Sequence, residues 1–326
     1  MLHRAFLIVL LLCWSTAGSA ADLIDASGRT VQVPDHVRRV LPAGPPAALL
    51  LEAVAPDLMI GWPSPVSQQA RALVSSQASN LPEIPRLTGR EDVTDKIAAL
   101  KPDLIVDYGT ISPRFRELAR ATQQRTGVPT ILLDGSLDDI PTVFLTLGRL
   151  LHRQARAEVL ARFARALLAL PISPHGHPTV LCARGPDGLT IDAPGTDLTE
   201  VFGRLGWRVV APAGMGPFRR VDFAAIRTLD PDILVFSDPA SKELLARSAA
   251  WRSLRAVRDG HAMVAPRLPF GWIDEPPSIN RLLGMAWLGG RDPATLAATF
   301  DAVVYGRVLT SMELQSLLAG VHALTW

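Results

Sequence analysis

One helix–turn–strand unit occurs twice in this chain, and this repeat limits the folds that the chain can adopt. Residues 97–109 read IAALKPDLIVDYG, and residues 226–238 read IRTLDPDILVFSD. A Leu-x-Pro-Asp sequence before a buried strand is common in α/β proteins, so coincidence is one explanation. The order of the surrounding elements also repeats, which favours two similar α/β lobes instead.

Strand-like and helix-like segments alternate on both sides of a long central stretch. Such alternation is typical of parallel, doubly wound sheets. The central residues 136–171 place their apolar side chains on one helical face, which predicts a single long helix. The predicted fold is therefore two doubly wound α/β lobes, residues 22–135 and 172–326, joined by that helix. The second lobe ends in a helical tail.

The N-terminus has the pattern of a secretory signal peptide. His3 and Arg4 precede an apolar run at 5–14, and small residues follow it. The run is too short and wrongly flanked for a transmembrane helix. We predict that residues 1–21 are a signal peptide and that the mature protein is periplasmic. Cleavage would leave Cys182 as the remaining cysteine, which predicts no internal disulfide.

Composition and motifs argue against several classes of function. The 326 residues are 48% hydrophobic and 20% charged, which is typical of a globular protein. The net charge of only +2 does not indicate a surface that binds nucleic acid. The sequence has no Walker A loop, nucleophile elbow or zinc-protease helix. His175 and His177 form a pair without a third ligand nearby, so no structural metal is predicted. We predict a binding protein without a cofactor, and a metal chelatase-like enzyme on a similar two-lobed scaffold is the rival class.

Five segments in a fixed order resemble one known family. In chain order they are DASGRTVQVPDHVRRVL, LKPDLIV, DLTEVFGRLGWRVV, LDPDILV and PFGWIDEPPSINRLLGMAWLGG. Over roughly residues 22–320 the chain resembles the class III (cluster A) substrate-binding proteins of ABC importers for iron–siderophore complexes, haem and cobalamin. The resemblance implies a monomer that captures a small-molecule metal chelate in a cleft between its two lobes and delivers it to an inner-membrane ABC permease.

The last of these segments resembles endings found in iron-chelate binders of that family. It therefore implies an iron(III) chelate of the siderophore type as the ligand. Cobalamin, haem and molybdate or tungstate are carried by other proteins of this architecture and remain alternatives. Haem ranks lower, because its binders usually have a tyrosine where this chain reads LTGRED.

The family also implies one acidic residue on each lobe that pairs with arginines of the permease. In the first lobe the matching position is Asp95, whereas the second lobe has Ala224 there with Asp222 close by. Glu91 and Glu200 are possible substitutes. A solvated helix face is the alternative explanation for each of these acids.

Candidate ligand-binding residues follow from the position of the strands. Ligands of doubly wound folds lie beyond the carboxyl ends of the strands. The repeat that aligns the two units also aligns Arg90 with Arg219, each before its helix. Guanidinium groups bind carboxylates and oxyanions through paired donors, so this pair predicts a clamp for an anionic ligand.

Aromatic residues near the predicted loops suit a bulky chelate. Trp62 and Tyr108 are the candidates in the first lobe. In the second lobe Trp272 and Asp274 are the candidates. Core packing is the alternative explanation for both aromatic residues of this segment, and it fits Phe270 better than Trp272. Phe218 also lies near a predicted loop.

Overall fold

The computed structural model describes residues 20–87, 92–171, 176–214, 216–319 and 321. Most of the predicted signal peptide therefore lies outside the described residues, whereas Ala20 and Ala21 begin the first strand. Within the described part of the chain, no helix combines the length and the apolar character needed to cross a membrane.

The first lobe consists of a hairpin, a three-stranded parallel sheet and four helices. Its strands are β1 (Ala20–Ile24), β2 (Thr30–Pro34), β3 (Val40–Pro42), β4 (Leu104–Gly109) and β5 (Thr130–Asp134). Its helices are α1 (Pro45–Val54), α2 (Gln68–Arg71), α3 (Thr94–Leu100) and α4 (Pro113–Thr126). Strands β1 and β2 pair antiparallel around Gly28, whose φ of 82° is readily adopted by glycine. Strands β3, β4 and β5 are parallel in that order, so their carboxyl ends lie at one edge.

The second lobe is built on a six-stranded sheet. Its strands are β6 (Thr179–Arg184), β7 (Thr190–Asp192), β8 (Arg208–Val209), β9 (Phe218–Arg220), β10 (Ile233–Phe236) and β11 (Ala262–Val264). Its helices are α7 (Asp197–Arg204), α8 (Phe223–Leu229), α9 (Ser241–Arg247), α10 (Ala249–Arg252) and α11 (Arg255–Arg258). Strands β6, β8, β10 and β11 are parallel, and β7 and β9 extend the sheet antiparallel at the carboxyl end of β6.

The repeated sequence forms the same structure in both lobes. Helix α3 with strand β4, and helix α8 with strand β10, begin at matching positions of the repeat. Lys101 and Asp230 end the two helices in the same left-handed conformation, with φ of 46° and 37°. The prediction of two α/β lobes that share this unit is confirmed.

The repeated aspartate anchors the start of the neighbouring strand. Asp103 accepts hydrogen bonds from the backbone N–H groups of Arg38 (2.8 Å) and Arg39 (2.9 Å), just before β3. Asp232 accepts from the N–H and the hydroxyl of Thr179 at 2.7 Å each, at the start of β6. In each lobe this carboxylate therefore holds two parallel strands in register.

The prediction of one continuous helix over 136–171 is wrong. The segment forms α5 (Ile140–Leu150) and α6 (Gln154–Leu168), and His152 breaks the helical path with φ of 53°. The two helices pack so closely that a side chain at Gly148 would collide with Ala157. The apolar pattern runs through both helices because each buries one face, and this is why the break is hidden in the sequence.

The tail returns to the first lobe. It consists of α12 (Arg281–Leu288), α13 (Pro293–Phe300), a π-helical turn (Asp301–Tyr305) and α14 (Ser311–Leu317). The π-helical turn packs against α1 and α6. Arg156 on α6 joins the carbonyl oxygens of Ala53 (2.9 Å) and Val304 (2.7 Å). The tail thus covers α1 as well as the second lobe.

We expect Asp232→Ala to lower the free energy of unfolding by about 1–3 kcal/mol, because hydrogen bonds to a charged acceptor are lost. Asp103→Ala should have a similar effect, since its carboxylate has the same role. Urea unfolding followed by circular dichroism measures both. The exposed Asp259 is the matched control, and Asp259→Ala should change stability by less than about 0.5 kcal/mol.

The contribution of Asp232 should also depend on pH. Burial opposes its ionisation, but hydrogen bonds from Thr179 and Arg255 hold the pKa of Asp232 below its usual value. The stabilisation is therefore present at neutral pH and is lost as the pH falls through that lowered pKa. A stability difference between native protein and Asp232→Ala that stays constant into acid would contradict this role.

Candidate functional site

A cavity of about 670 Å³ lies where the two lobes face each other. The first lobe contributes the start of α1, Trp62 and the end of β4. The second lobe contributes the start of α7 and β9, and the loop that precedes α12 adds Phe270 and residues 275–277. The cavity therefore includes the carboxyl end of a parallel strand, where ligands of this fold class bind.

The first-lobe wall is held by buried contacts. Pro45 and Pro46 line the cavity from the first turn of α1, where a missing N–H costs no helical hydrogen bond. The Trp62 ring is buried, and its Nε1–H donates to the Ala78 carbonyl at 2.9 Å. Tyr108 is 2% exposed, and burial raises its pKa to about 12, although the charge of Arg281 acts in the opposite direction.

The opposite wall carries two more aromatic rings. Phe218 on β9 is 58% exposed, which is unusual for a large apolar side chain, and it faces the cavity. The Arg184 guanidinium lies 5.1 Å from the centre of its ring. Phe270 lies 5.6 Å from Trp62, centre to centre. Rings from both lobes thus give the cavity apolar faces.

Arg184 fixes the loop that supplies Phe270. Its guanidinium pairs with Asp192 at 2.7 Å and with Asp274, and it lies 3.7 Å from Glu275. Burial raises the pKa of Asp274, and the charge of Arg184 opposes that rise. Asp274 is therefore held by a partner inside the protein and joins the loop to β6.

Buried polar contacts join the two lobes beside the cavity. The Arg281 side chain is 1% exposed, and its guanidinium donates to the Gly135 carbonyl of the first lobe. In the second lobe it donates to the Asp197 carbonyl (3.0 Å) and to the Glu200 carboxylate (2.7 Å). The other Glu200 oxygen accepts from Leu137 N–H at 2.8 Å. These contacts fix the chain where it leaves the first lobe.

A second link crosses the cavity lining itself. The Thr110 hydroxyl at the end of β4 donates to the Asp197 carboxylate at 2.9 Å. Both residues line the cavity, so this bond joins its two walls directly.

The structure brings together two of the six predicted ligand-binding residues. Trp62 and Tyr108 line the cavity. Arg219 lies exposed on β9, next to Phe218 but outside the lining, because successive side chains of a strand point to opposite faces. Arg90 lies outside the described residues, so the structure describes only one of the two arginines of the predicted clamp.

Trp272 and Asp274 lie away from the cavity surface. Trp272 is fully buried, packs edge-on against Trp287 and donates from Nε1 to the Leu268 carbonyl at 3.1 Å. In PFGWID the sequence predicts Trp272 at the ligand site and core packing for Phe270, whereas in the structure Phe270 lines the cavity and Trp272 is in the core. Asp274 is occupied by Arg184.

The predicted docking acids lie exposed at the starts of equivalent helices. Asp95 is in the first turn of α3, and Asp222 caps α8 by accepting from Ala225 N–H at 2.8 Å. Glu200, considered as a substitute, is bound by Arg281, and Glu91 lies outside the described residues.

Sequence reasoning missed the charged groups of the lining. They are Arg86, Asp107, Asp197 and Glu275. Asp107 directly precedes Tyr108, which the sequence does predict as a ligand residue. Its position at the end of a buried strand was the available signal. The described residues contain no group of three or more His, Cys, Asp or Glu that could hold a metal ion.

A second cavity of about 810 Å³ lies on the first lobe, beyond the other end of α1. Its buried acid, Glu52, accepts from Ser75 N–H at 2.8 Å, and burial raises the pKa of Glu52 to about 7. The Arg71 guanidinium in its wall donates to the carbonyl oxygens of Ser79 (2.9 Å) and Leu81 (3.0 Å). These groups hold the loop after α2 in place, so the cavity between the lobes is the stronger candidate.

One family model matches most of the chain. It is described as periplasmic binding protein and covers residues 50–267. No curated protein matches the chain.

Three solved structures share the fold. An ABC transporter solute binding protein from Sulfurospirillum deleyianum DSM 6946 is 23% identical, with a TM-score of 0.82, covering 91% of this chain and 99% of that one. Molybdate-bound MolA of Haemophilus influenzae is 16% identical, with a TM-score of 0.69 and coverages of 89% and 99%. A protein described as an ABC-type Fe3+-hydroxamate transport system, from Saccharomonospora viridis DSM 43017, is 19% identical, with a TM-score of 0.56 and coverages of 81% and 96%.

Arg281→Met should lower the free energy of unfolding by about 1–3 kcal/mol, because the Gly135 and Asp197 carbonyls and the Glu200 carboxylate lose a charged hydrogen-bond donor. Denaturant unfolding measures the change. The control is Arg252→Met at an exposed position, which should be nearly neutral. A near-neutral Arg281→Met would show that these contacts do not hold the lobes together.

Proposed function

Because the chain belongs to the periplasmic binding protein family, we propose that it is the solute-binding component of an ABC importer and that its ligand is an iron(III) chelate of the siderophore type. The observation that carries this proposal is the cavity between the lobes, with aromatic rings on both walls. Ligand sites of this kind are apolar clefts with a few placed polar groups.

The size and lining of the cavity favour a bulky ligand. A volume of about 670 Å³ lies in the range of sites for drug-sized molecules. The rings of Phe218 and Phe270 offer flat apolar surface to the organic part of a chelate, and the buried Trp62 ring supports Phe270 from behind. This lining favours a chelate over a bare oxyanion such as the molybdate bound by the Haemophilus influenzae protein. Haem and cobalamin are the alternatives of similar bulk.

The proposed cycle places the mature protein in the periplasm as a monomer. Ligand enters between the lobes and contacts both walls. The loaded protein then docks on the permease through Asp95 and Asp222, which are exposed on equivalent helices of the two lobes.

Titration of the mature protein should quench its tryptophan fluorescence, because Trp62 lines the cavity. The panel is a ferric hydroxamate, a ferric catecholate, ferric citrate, haem, cobalamin and molybdate. Saturable quenching by a ferric chelate at submicromolar concentration is expected. Trp62→Phe should lose most of the quenching while calorimetry still detects binding. Trp251→Phe, in the separate core of the second lobe, is the matched control and should keep it.

Other outcomes of the same panel would overturn the proposal in different ways. Saturation by molybdate, haem or cobalamin alone would make the ligand one of the alternatives. Release of iron from the chelate during incubation would support the chelatase-like enzyme instead.

Removing the docking charges should slow uptake into cells without changing the affinity for ligand. Asp95→Asn removes the first charge, and Asp222→Ser removes the second while a serine can still cap α8. Rim charges mainly affect the rate of association, so the effect should shrink at high ionic strength. Unchanged uptake in the double variant would exclude these two residues as the docking points.

A further inference from the structure

The described lining of the cavity carries more carboxylates than cations. Asp107, Asp197 and Glu275 line it, together with one guanidinium group, that of Arg86. The carboxylates come from both sides of the cavity, so a bound ligand would meet negative charge on each wall. This observation bears on which chelate the site takes, and it therefore rests on the proposed function.

The three carboxylates differ in their partners. Glu275 forms an ion pair with Arg267 and lies 3.7 Å from Arg184. Asp197 accepts the Thr110 hydroxyl at 2.9 Å in the link between the walls. Both groups already have a role in holding the protein together.

Of these three carboxylates, Asp107 has the least compensation from the described residues around it. It is half-buried at the end of β4, and its Oδ1 accepts a hydrogen bond from the Tyr108 N–H at 3.0 Å. Burial raises the pKa of Asp107 to about 6, and the more distant charge of Arg86 only partly opposes that rise. In the empty cavity the ionised form is therefore costly, and a cation placed beside it would remove that cost.

Tyr108 adds an uncharged group to the same wall. Its side chain is buried, and no hydrogen bond of the hydroxyl meets the usual geometric limits among the described residues. Burial raises the pKa of Tyr108 to about 12, so this phenol stays uncharged at physiological pH and adds no charge to the wall beside Asp107.

We infer that the cavity selects metal chelates of zero or positive net charge, and that Asp107 is the residue that discriminates against anionic ones. The described residues thus favour the opposite of the anion clamp expected from the sequence. Aromatic rings bind the organic shell of either type, whereas an ionised carboxylate in a partly dry site repels a negative ligand.

A matched series of ferric chelates separates charge from shape. Ferrioxamine B carries one pendant ammonium group, its N-acetyl derivative carries none, and its N-succinyl derivative ends in a carboxylate. All three present the same iron-hydroxamate centre. Calorimetry at neutral pH should find the cationic and neutral forms bound more tightly than the anionic form by roughly tenfold or more.

Asp107→Asn is the decisive variant, because it keeps the shape and removes the charge. It should reduce the preference for the cationic over the anionic form by roughly tenfold. Asp259→Asn, at an exposed position of the second lobe, is the matched control and should leave the preference unchanged. An unchanged preference in Asp107→Asn, or tighter binding of the anionic form by the native protein, would overturn the inference.

The pH dependence gives a second readout. Among the residues that the structure describes, the other titratable or charged groups of the lining are Arg86, Tyr108, Asp197 and Glu275. Since the pKa of Asp107 is raised to about 6, affinity for the cationic form should rise from pH 5 to pH 7 as this carboxyl ionises. The rise should be absent in Asp107→Asn, and a rise that persists there would count against the inference.

Failure of the proposed function looks different from failure of the charge rule. If neither these three hydroxamates nor the other ferric chelates of the fluorescence panel bind, the proposal of an iron chelate is wrong and the inference falls with it. If only the anionic ferric catecholate or citrate binds, the iron chelate stands and the charge rule is wrong. If all three bind equally, the iron chelate stands and the charge rule alone is wrong.

Discussion

The buried Arg281 guanidinium is the contact on which the geometry of the site depends. It binds a carbonyl of the first lobe, and a carbonyl and a carboxylate of the second, so its charge is satisfied from both sides. A buried ion is tolerable only with this degree of compensation, and an incomplete set would be strongly destabilising. Because Glu200 also holds Leu137 N–H, the chain is fixed where it leaves the first lobe. The two walls of the cavity therefore face each other at a defined separation.

Two kinds of force then shape the cavity. Apolar rings line both walls, and Phe218 leaves most of its surface exposed although burial elsewhere would be favourable. Carboxylates stand among these rings, and those at 197 and 275 are held by bonds within the protein. The exposed apolar surface and the carboxylates of this site suit a ligand that contacts both lobes.

The repeated helix–turn–strand unit could be predicted from the sequence because local residues determine its structure. The left-handed ends at Lys101 and Asp230, and the aspartates at 103 and 232, follow directly from the repeated Pro-Asp units. The break at His152 was hidden, because apolar periodicity continues through two helices that each bury a face. Periodicity reports which face is buried and says little about where a helix turns back.

The location of the candidate site could be predicted from the sequence, whereas the identity of its lining residues could be predicted only in part. Loops at the ends of the strands did converge, as the topology requires. Whether Phe270 or Trp272 faces the cavity depends on how the loop folds around Arg184. Arg219 lies outside the lining because it is next to Phe218 on β9, and successive side chains of a strand point to opposite faces. The ligand residues were chosen by chemical type, whereas their placement is decided by contacts far apart in the chain.

The return of the tail to α1 has a consequence for how the molecule is made. The carbonyl oxygens that Arg156 binds lie at Ala53 and Val304, near opposite ends of the chain, and Arg307 reaches back to Ala72. The first lobe is therefore completed by a segment that follows the whole second lobe in the sequence. Without the tail, the part of α1 that the π-helical turn covers would be exposed, so the first lobe depends on a distant segment for its packing.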